Sequence, residues 1–149
     1  MYKRQILCIG LVGCQTKEKN SYTGTYTLKY FYVEGCSNCE YFSKNGLPLI
    51  EEEFGDHMEI IKYNMDDRES VDEVRNAYDE VVNNIIDFNQ DDYGFGPFLV
   101  LDGYFAQLGV EDVDYFLENL ISAINDGKLG EPMDNDTYYY FKDGKIKGE

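Results

Sequence analysis

Two cysteines separated by two residues, Cys36 and Cys39, stand where a strand-like stretch gives way to a helix-like one. Residues 26–33 (Tyr-Thr-Leu-Lys-Tyr-Phe-Tyr-Val) are dense in β-branched and aromatic side chains, the composition of a buried or half-buried strand. Residues 40–54 then offer Tyr41, Phe42, Leu47, Leu49, Ile50 and Phe54 for burial on a helix, with Pro48 expected to kink it. Cys36 thus falls at a helix start, where unpaired N–H groups and the helix dipole favour a thiolate. Cys39 follows one turn later on the same face, within disulfide reach. The spacing allows Cys36 to attack and Cys39 to resolve.

Two other chemistries use such a pair. A four-ligand zinc site needs two more good ligands, and with Cys8 and Cys14 assigned to the N-terminal segment described below, only His57 and carboxylates remain. A structural disulfide needs no further partner, but a loop this short constrains the unfolded chain little.

Residues 58–64 read as a second strand. Ser70-Val71-Asp72-Glu73 has the capping-box form, and Val71, Val74, Tyr78, Val81, Val82 and Ile85 follow at helical spacing as a core face. An acidic loop with two glycines, residues 89–96, precedes Pro97. Residues 98–101 form a short buried strand, Asp102-Gly103 a hairpin turn, and residues 104–108 the returning strand. The last helix, residues 110–125, is acidic in its first turn. It turns Val113, Phe116, Leu117, Leu120, Ile121 and Ile124 inward.

Over about residues 28–127 this order resembles the thioredoxin-like superfamily. The residues that carry the resemblance are Cys36-Ser37-Asn38-Cys39, Pro48, and Gly96-Pro97 ahead of the hairpin. Cys-x-x-Cys-Glu-Tyr-Phe followed by Leu47-Pro48 is most similar to extracytoplasmic disulfide oxidoreductases of the DsbA or DsbG kind. The resemblance implies an α/β, three-layer fold with a central mixed sheet flanked by helices, over residues 28–130. It implies that Cys36 is the exposed nucleophile and Cys39 the buried resolver. It also implies a cis Gly96-Pro97 bond beside them, offering backbone groups to an extended thiol-bearing substrate, with Ser37 and Asn38 on the same substrate-facing surface. No cofactor and no metal is implied, because the cysteine pair itself carries two electrons.

Two departures from the family pattern bear on the chemistry. Many relatives hold a buried acid six positions before the first cysteine; here that position is Tyr30. Glu34 stands nearby and reads as a solvated loop residue. The dipeptide between the cysteines is Ser37-Asn38, without the histidine of strongly oxidising relatives, and Glu34 and Glu40 oppose a thiolate by like charge. The expectation is a milder oxidant than DsbA.

Residues 1–14 read differently from the rest. Lys3 and Arg4 precede an apolar run from Ile6 to Gly13, too short for a bilayer core of roughly 30 Å but of signal-peptide pattern. Leu11-Val12-Gly13-Cys14 resembles the lipobox of bacterial lipoproteins. That resemblance implies a signal peptide over residues 1–13, which is expected to begin further upstream in the natural protein, and a lipid on Cys14. Polar residues 14–27 then read as a flexible tether. With Cys8 removed and Cys14 lipidated, Cys36 and Cys39 remain, outside the cytosol where disulfides persist.

The length of 149 residues suits one domain, and 43% apolar content excludes wholesale disorder. A formal charge of −16 argues against nucleic acid and against anionic lipid as partners of a basic surface. Residues 131–149 lie beyond the family core. Residues 138–146 have hairpin character around Asp143-Gly144, with an added edge strand or cover favoured over partner recognition. Asp134-Asn135-Asp136 and Asp91-Asp92 lack the spacing of a calcium loop and read as solvated acid, and His57 as a surface residue.

The expected protein is a membrane-anchored, extracytoplasmic thiol–disulfide oxidoreductase acting on exported proteins or on a membrane redox partner. The alternative is a binding lipoprotein on the same scaffold with a structural disulfide.

Overall fold

The computed structural model describes residues 21–146; the expected signal segment, Cys14 and the first part of the tether lie outside them. Five strands form one sheet: β1 (Tyr26–Tyr32), β2 (Met58–Asn64), β3 (Phe98–Leu101), β4 (Phe105–Leu108) and β5 (Thr137–Tyr140). Their order is β2-β1-β3-β4-β5. β1 and β2 are parallel, and the other three pairings are antiparallel, so the sheet is mixed. The helices are α1 (Ser37–Tyr41), α2 (Leu47–Phe54), α3 (Val71–Asn83) and α4 (Val113–Asp126).

Strand alternation builds the layers, because successive side chains point to opposite faces. Leu28 and Tyr30 of β1 and Leu99 and Leu101 of β3 meet Phe42, Ile50, Phe54, Phe116 and Leu120 on one face. Phe31, Phe98 and Val100 meet Val74, Tyr78 and Val81 of α3 on the other. Each such large apolar side chain, fully buried, contributes about 1.5–3 kcal/mol. The result is a three-layer, thioredoxin-like α/β fold, with α1, α2 and α4 on one side and α3 on the other.

Several expectations need correction. The first helix begins at Ser37 rather than Glu40, with Cys36 as its N-cap. Pro48 does not simply kink it. A single π-turn, Phe42–Gly46, separates α1 from α2, and the Leu47 N–H bonds the Phe42 carbonyl five residues back. The wider turn meets Pro48 in the first turn of α2, where a missing N–H costs nothing. Ser70 forms no capping box: its hydroxyl donates to Asp67 Oδ2 (2.8 Å), and Asp67 caps a preceding 3₁₀ turn. The last helix starts at Val113, three residues late, because Asp112 caps it by accepting from the N–H groups of Asp114 and Tyr115.

Nor is the end of the expected tether loose. Tyr22 packs its ring on Phe54 at 4.7 Å, His57 Nδ1 lies 2.8 Å from the Gly24 carbonyl oxygen, and Tyr26 and Thr27 belong to β1. His57 is accordingly half-buried rather than a free surface residue. The expected hairpin over residues 138–146 is also not formed. Tyr138, Tyr139 and Tyr140 pair with β4 as the sheet's edge strand, and the following turn folds back so that Lys145 N donates to the Gly103 carbonyl (2.8 Å). Phe141 and Ile146 are buried, so the segment beyond residue 130 completes the sheet and both cores.

Candidate active site

Cys36 and Cys39 form a disulfide with Cα atoms 5.2 Å apart. β1 ends at Tyr32, Gly35 takes a positive φ of 72°, and the chain enters α1 with Cys36 still extended. The Cys39 N–H donates to Cys36 Sγ at 3.1 Å, so a backbone donor at the helix start faces the sulfur that would carry charge. Cys36 is half-buried while Cys39 is only 2% exposed. Ser37 and Asn38 are both exposed.

The Gly96-Pro97 bond is cis. The Gly96 carbonyl oxygen lies 3.8 Å from Cys36 Sγ. A Cβ on residue 96 would sit 3.1 Å from Cys39 Sγ and 3.3 Å from the Phe31 carbonyl oxygen, so glycine is what allows this close approach. Pro97 is buried, and its carbonyl accepts from Gly109 N at 2.9 Å.

Tyr30 lies fully buried behind the pair. Its hydroxyl donates to the Cys39 carbonyl (2.8 Å), with Ser43 Oγ 2.9 Å away. Burial raises its pKa above the ordinary phenol value, so at neutral pH it anchors the helix backbone as a neutral donor. It does not reproduce a carboxylate's proton-accepting role. Glu34 is exposed, with Oε2 accepting from Asn64 Nδ2 (2.9 Å) and its own N–H donating to Asp66 Oδ2 (2.8 Å). Glu40 is exposed beside Cys39.

The acidic loop of residues 89–96 is held by contacts that its own residue types do not announce. Gly94 N donates to the Tyr78 hydroxyl at 2.9 Å, and Tyr93 meets the Tyr78 ring edge-on while its hydroxyl donates to Asp79. From β5, the Tyr139 hydroxyl donates to Asp92 Oδ2 (2.5 Å) and accepts from Asn89 N (3.4 Å). Burial, helped by its Asp92 partner, pushes the Tyr139 phenol up to about 12. Tyr78 sat on a recognisable helical core face, but nothing local marked Tyr139, whose role exists only once β5 joins the sheet.

Asp136 is likewise not solvated. It is 9% exposed, its Oδ1 accepts from Glu111 N (2.9 Å) and its Oδ2 from Gln107 Nε2 (3.3 Å). Burial is the main force pushing its pKa up to about 6; Glu111 and Asp112 add to it and the Glu111 N–H opposes it. A carboxyl whose folded pKa exceeds its unfolded one binds its proton more tightly when folded. Its contribution to stability therefore declines as pH rises from about 4 to about 6 and is flat outside that window. Asp136→Asn is expected to remove this part of the slope, a difference of about 1–3 kcal/mol between pH 4 and 7. Urea unfolding of both proteins at the two pH values measures it, and equal slopes would refute it.

No protein-family model, curated protein or solved structure matches this chain. Its class therefore rests on architecture and site: a thioredoxin-like α/β fold carrying a CxxC disulfide at the β1–α1 junction. Among the described residues no helix is long and apolar enough to cross a membrane.

Proposed function

We propose that the chain exchanges disulfides with cysteine-bearing proteins, entering through Cys36. The observation that carries this reading is the asymmetry of the pair. Cys36 is reachable, capped by a backbone N–H and beside the Gly96 carbonyl, whereas Cys39 is enclosed.

In the oxidising direction a partner thiolate attacks Cys36 Sγ, the Cys36–Cys39 bond breaks, and Cys39 leaves as a thiolate that takes up a proton. A second partner thiolate then attacks the partner's own sulfur in the mixed disulfide and releases Cys36. The partner gains one disulfide and the pair gains two electrons and two protons. Run backwards, the same steps reduce a partner disulfide, Cys36 attacking and Cys39 resolving.

The proposed setting is extracytoplasmic, on a lipid carried by Cys14, with exported proteins or a membrane redox protein as partners. The lipobox-like Leu11-Val12-Gly13-Cys14 and the retained disulfide-forming pair support that setting.

Measuring the reduction potential of the Cys36–Cys39 pair tests the reading. A value between roughly −120 and −270 mV is expected, below the most oxidising end because Glu40 adjoins the pair and no histidine stabilises the thiolate. A value well below about −300 mV would make the bridge structural and favour a binding lipoprotein instead.

A further inference from the structure

Phe95 is the most exposed large apolar side chain among the described residues, at 61%, and it immediately precedes Gly96, whose carbonyl faces Cys36 Sγ. Its exposure does not come from a loose loop. The segment is strapped to α3 through Tyr78 and Asp79 and to β5 through Tyr139, so the ring is held out in solvent one residue from Gly96. Tyr41, two residues after Cys39, is a second exposed aromatic, and its hydroxyl accepts from Val113 N at the start of α4 (3.4 Å).

Carboxylates crowd the disulfide end of the sheet with few cations among them. The strand registers bring the end of β1, the end of β2, the start of β3 and the end of β4 together at the disulfide. The connecting segments there carry Glu34, Glu40, Asp66, Asp91, Asp92 and Glu111. Residues 33–41, 89–97 and 109–114 contain no lysine or arginine; Lys29 and Lys44 are the cations nearest the CxxC segment in sequence, and the connection that holds Asp66 also carries Arg68. The opposite end holds Lys29, paired with Asp102 at 3.4 Å, Lys142 against α3, and Lys145 over the Tyr104 ring.

We infer that this end of the molecule docks an extended segment of a partner protein in which the cysteine has an apolar neighbour and is flanked by lysine or arginine. The inference rests on the exchange reading above and narrows its substrate class. Phe95 takes the apolar neighbour, the Gly96 backbone aligns the cysteine with Cys36, and the surrounding carboxylates attract the basic flanks while repelling acidic segments.

The test separates docking from chemistry. Two fluorescein-labelled nonapeptides carry serine in place of the cysteine, leucine on either side of it, and either lysine or glutamate further out. Their binding to the oxidised full chain is followed by anisotropy. The lysine peptide is expected to bind at least about tenfold more tightly than the glutamate peptide at about 20 mM salt, the gap closing to within about threefold at 0.5 M. Phe95→Ala should weaken the lysine peptide at least about fivefold, whereas Ile86→Ser, the next most exposed large apolar site at 46% and at the far end, should not. Equal binding of the two peptides, a preference that survives high salt, or indifference to Phe95→Ala would overturn the inference. Exchange with the cysteine forms of the peptides is read separately. Exchange without discrimination ends the docking inference alone, and discrimination without exchange ends the exchange reading while leaving docking in place.

Discussion

A Cys36→Ser variant is expected to exchange no faster than the uncatalysed background, whereas Cys39→Ser should still react once and then stall. The difference follows from position, not from residue type. Cys36 is the sulfur a partner can reach; Cys39, 2% exposed, sits under the Gly96 segment. Without Cys39 the mixed disulfide on Cys36 has no internal resolver and accumulates. Incubating each variant with a disulfide-bearing peptide and weighing the intact product by mass spectrometry reads this directly. A peptide adduct located at Cys36 in Cys39→Ser, and none at Cys39 in Cys36→Ser, is the expected pair of results once Cys8 and Cys14 are replaced by serine in both. Adducts of equal yield on both would mean that either sulfur is reachable, and the proposed order of attack would fall.

The largest effect on stability is expected from Gly109→Ala. Gly109 has a φ of 86°, and a Cβ there would lie 2.7 Å from the Asn135 carbonyl oxygen, a backbone atom that cannot rotate away. The left-handed backbone alone costs a non-glycine residue about 1–2 kcal/mol. Separating residues 109 and 135 also strains the Gly109 N to Pro97 O bond and the Gln107 Nε2 to Gly109 O bond, bringing the total to about 3–4 kcal/mol. Gly103→Ala supplies the comparison. Its φ is 81°, but nothing lies within 4 Å of the added Cβ, so only the backbone cost of about 1–2 kcal/mol should appear. Thermal melts should therefore place Gly109→Ala about 10 °C below the parent and clearly below Gly103→Ala. Equal melting points for the two variants would show that the contact with residue 135 relaxes freely.

How far the site could be read in advance depended on whether its signals were local. The strand before Cys36, the helix after Cys39, the turn at Asp102-Gly103 and the inward face of α4 each depend on neighbours within a few residues. Gly96-Pro97 was legible only through resemblance, since no local pattern specifies a cis bond. The acid missing at Tyr30 was visible as an absence. Its replacement by a phenol holding the Cys39 carbonyl was not, because that bond joins β1 to α1 across the sheet surface.

The π-turn before Pro48, the docking of Tyr22 on Phe54 and of Gly24 on His57, and the burial of Asp136 share a reason. Each depends on a backbone or side-chain partner far along the chain or on helix geometry that residue types alone leave open. So does the fate of residues 137–146. Their composition was right for a strand, yet whether that strand paired with its own continuation or with β4 turned on an edge that exists only after the sheet has formed.

By itself, then, the amino-acid sequence determined the order of elements, the apolar faces that build two cores, and the junction that places two cysteines at a helix start. These follow from periodicity and propensity, which act over one or two turns of chain. Only the tertiary structure decided how the Tyr30 hydroxyl holds the Cys39 carbonyl, how the loop before Pro97 is strapped by Tyr78 and Tyr139, and that β5 forms the edge of the sheet next to β4. Those outcomes belong to contacts between segments remote in sequence, and their energies arise only when packing brings the segments together.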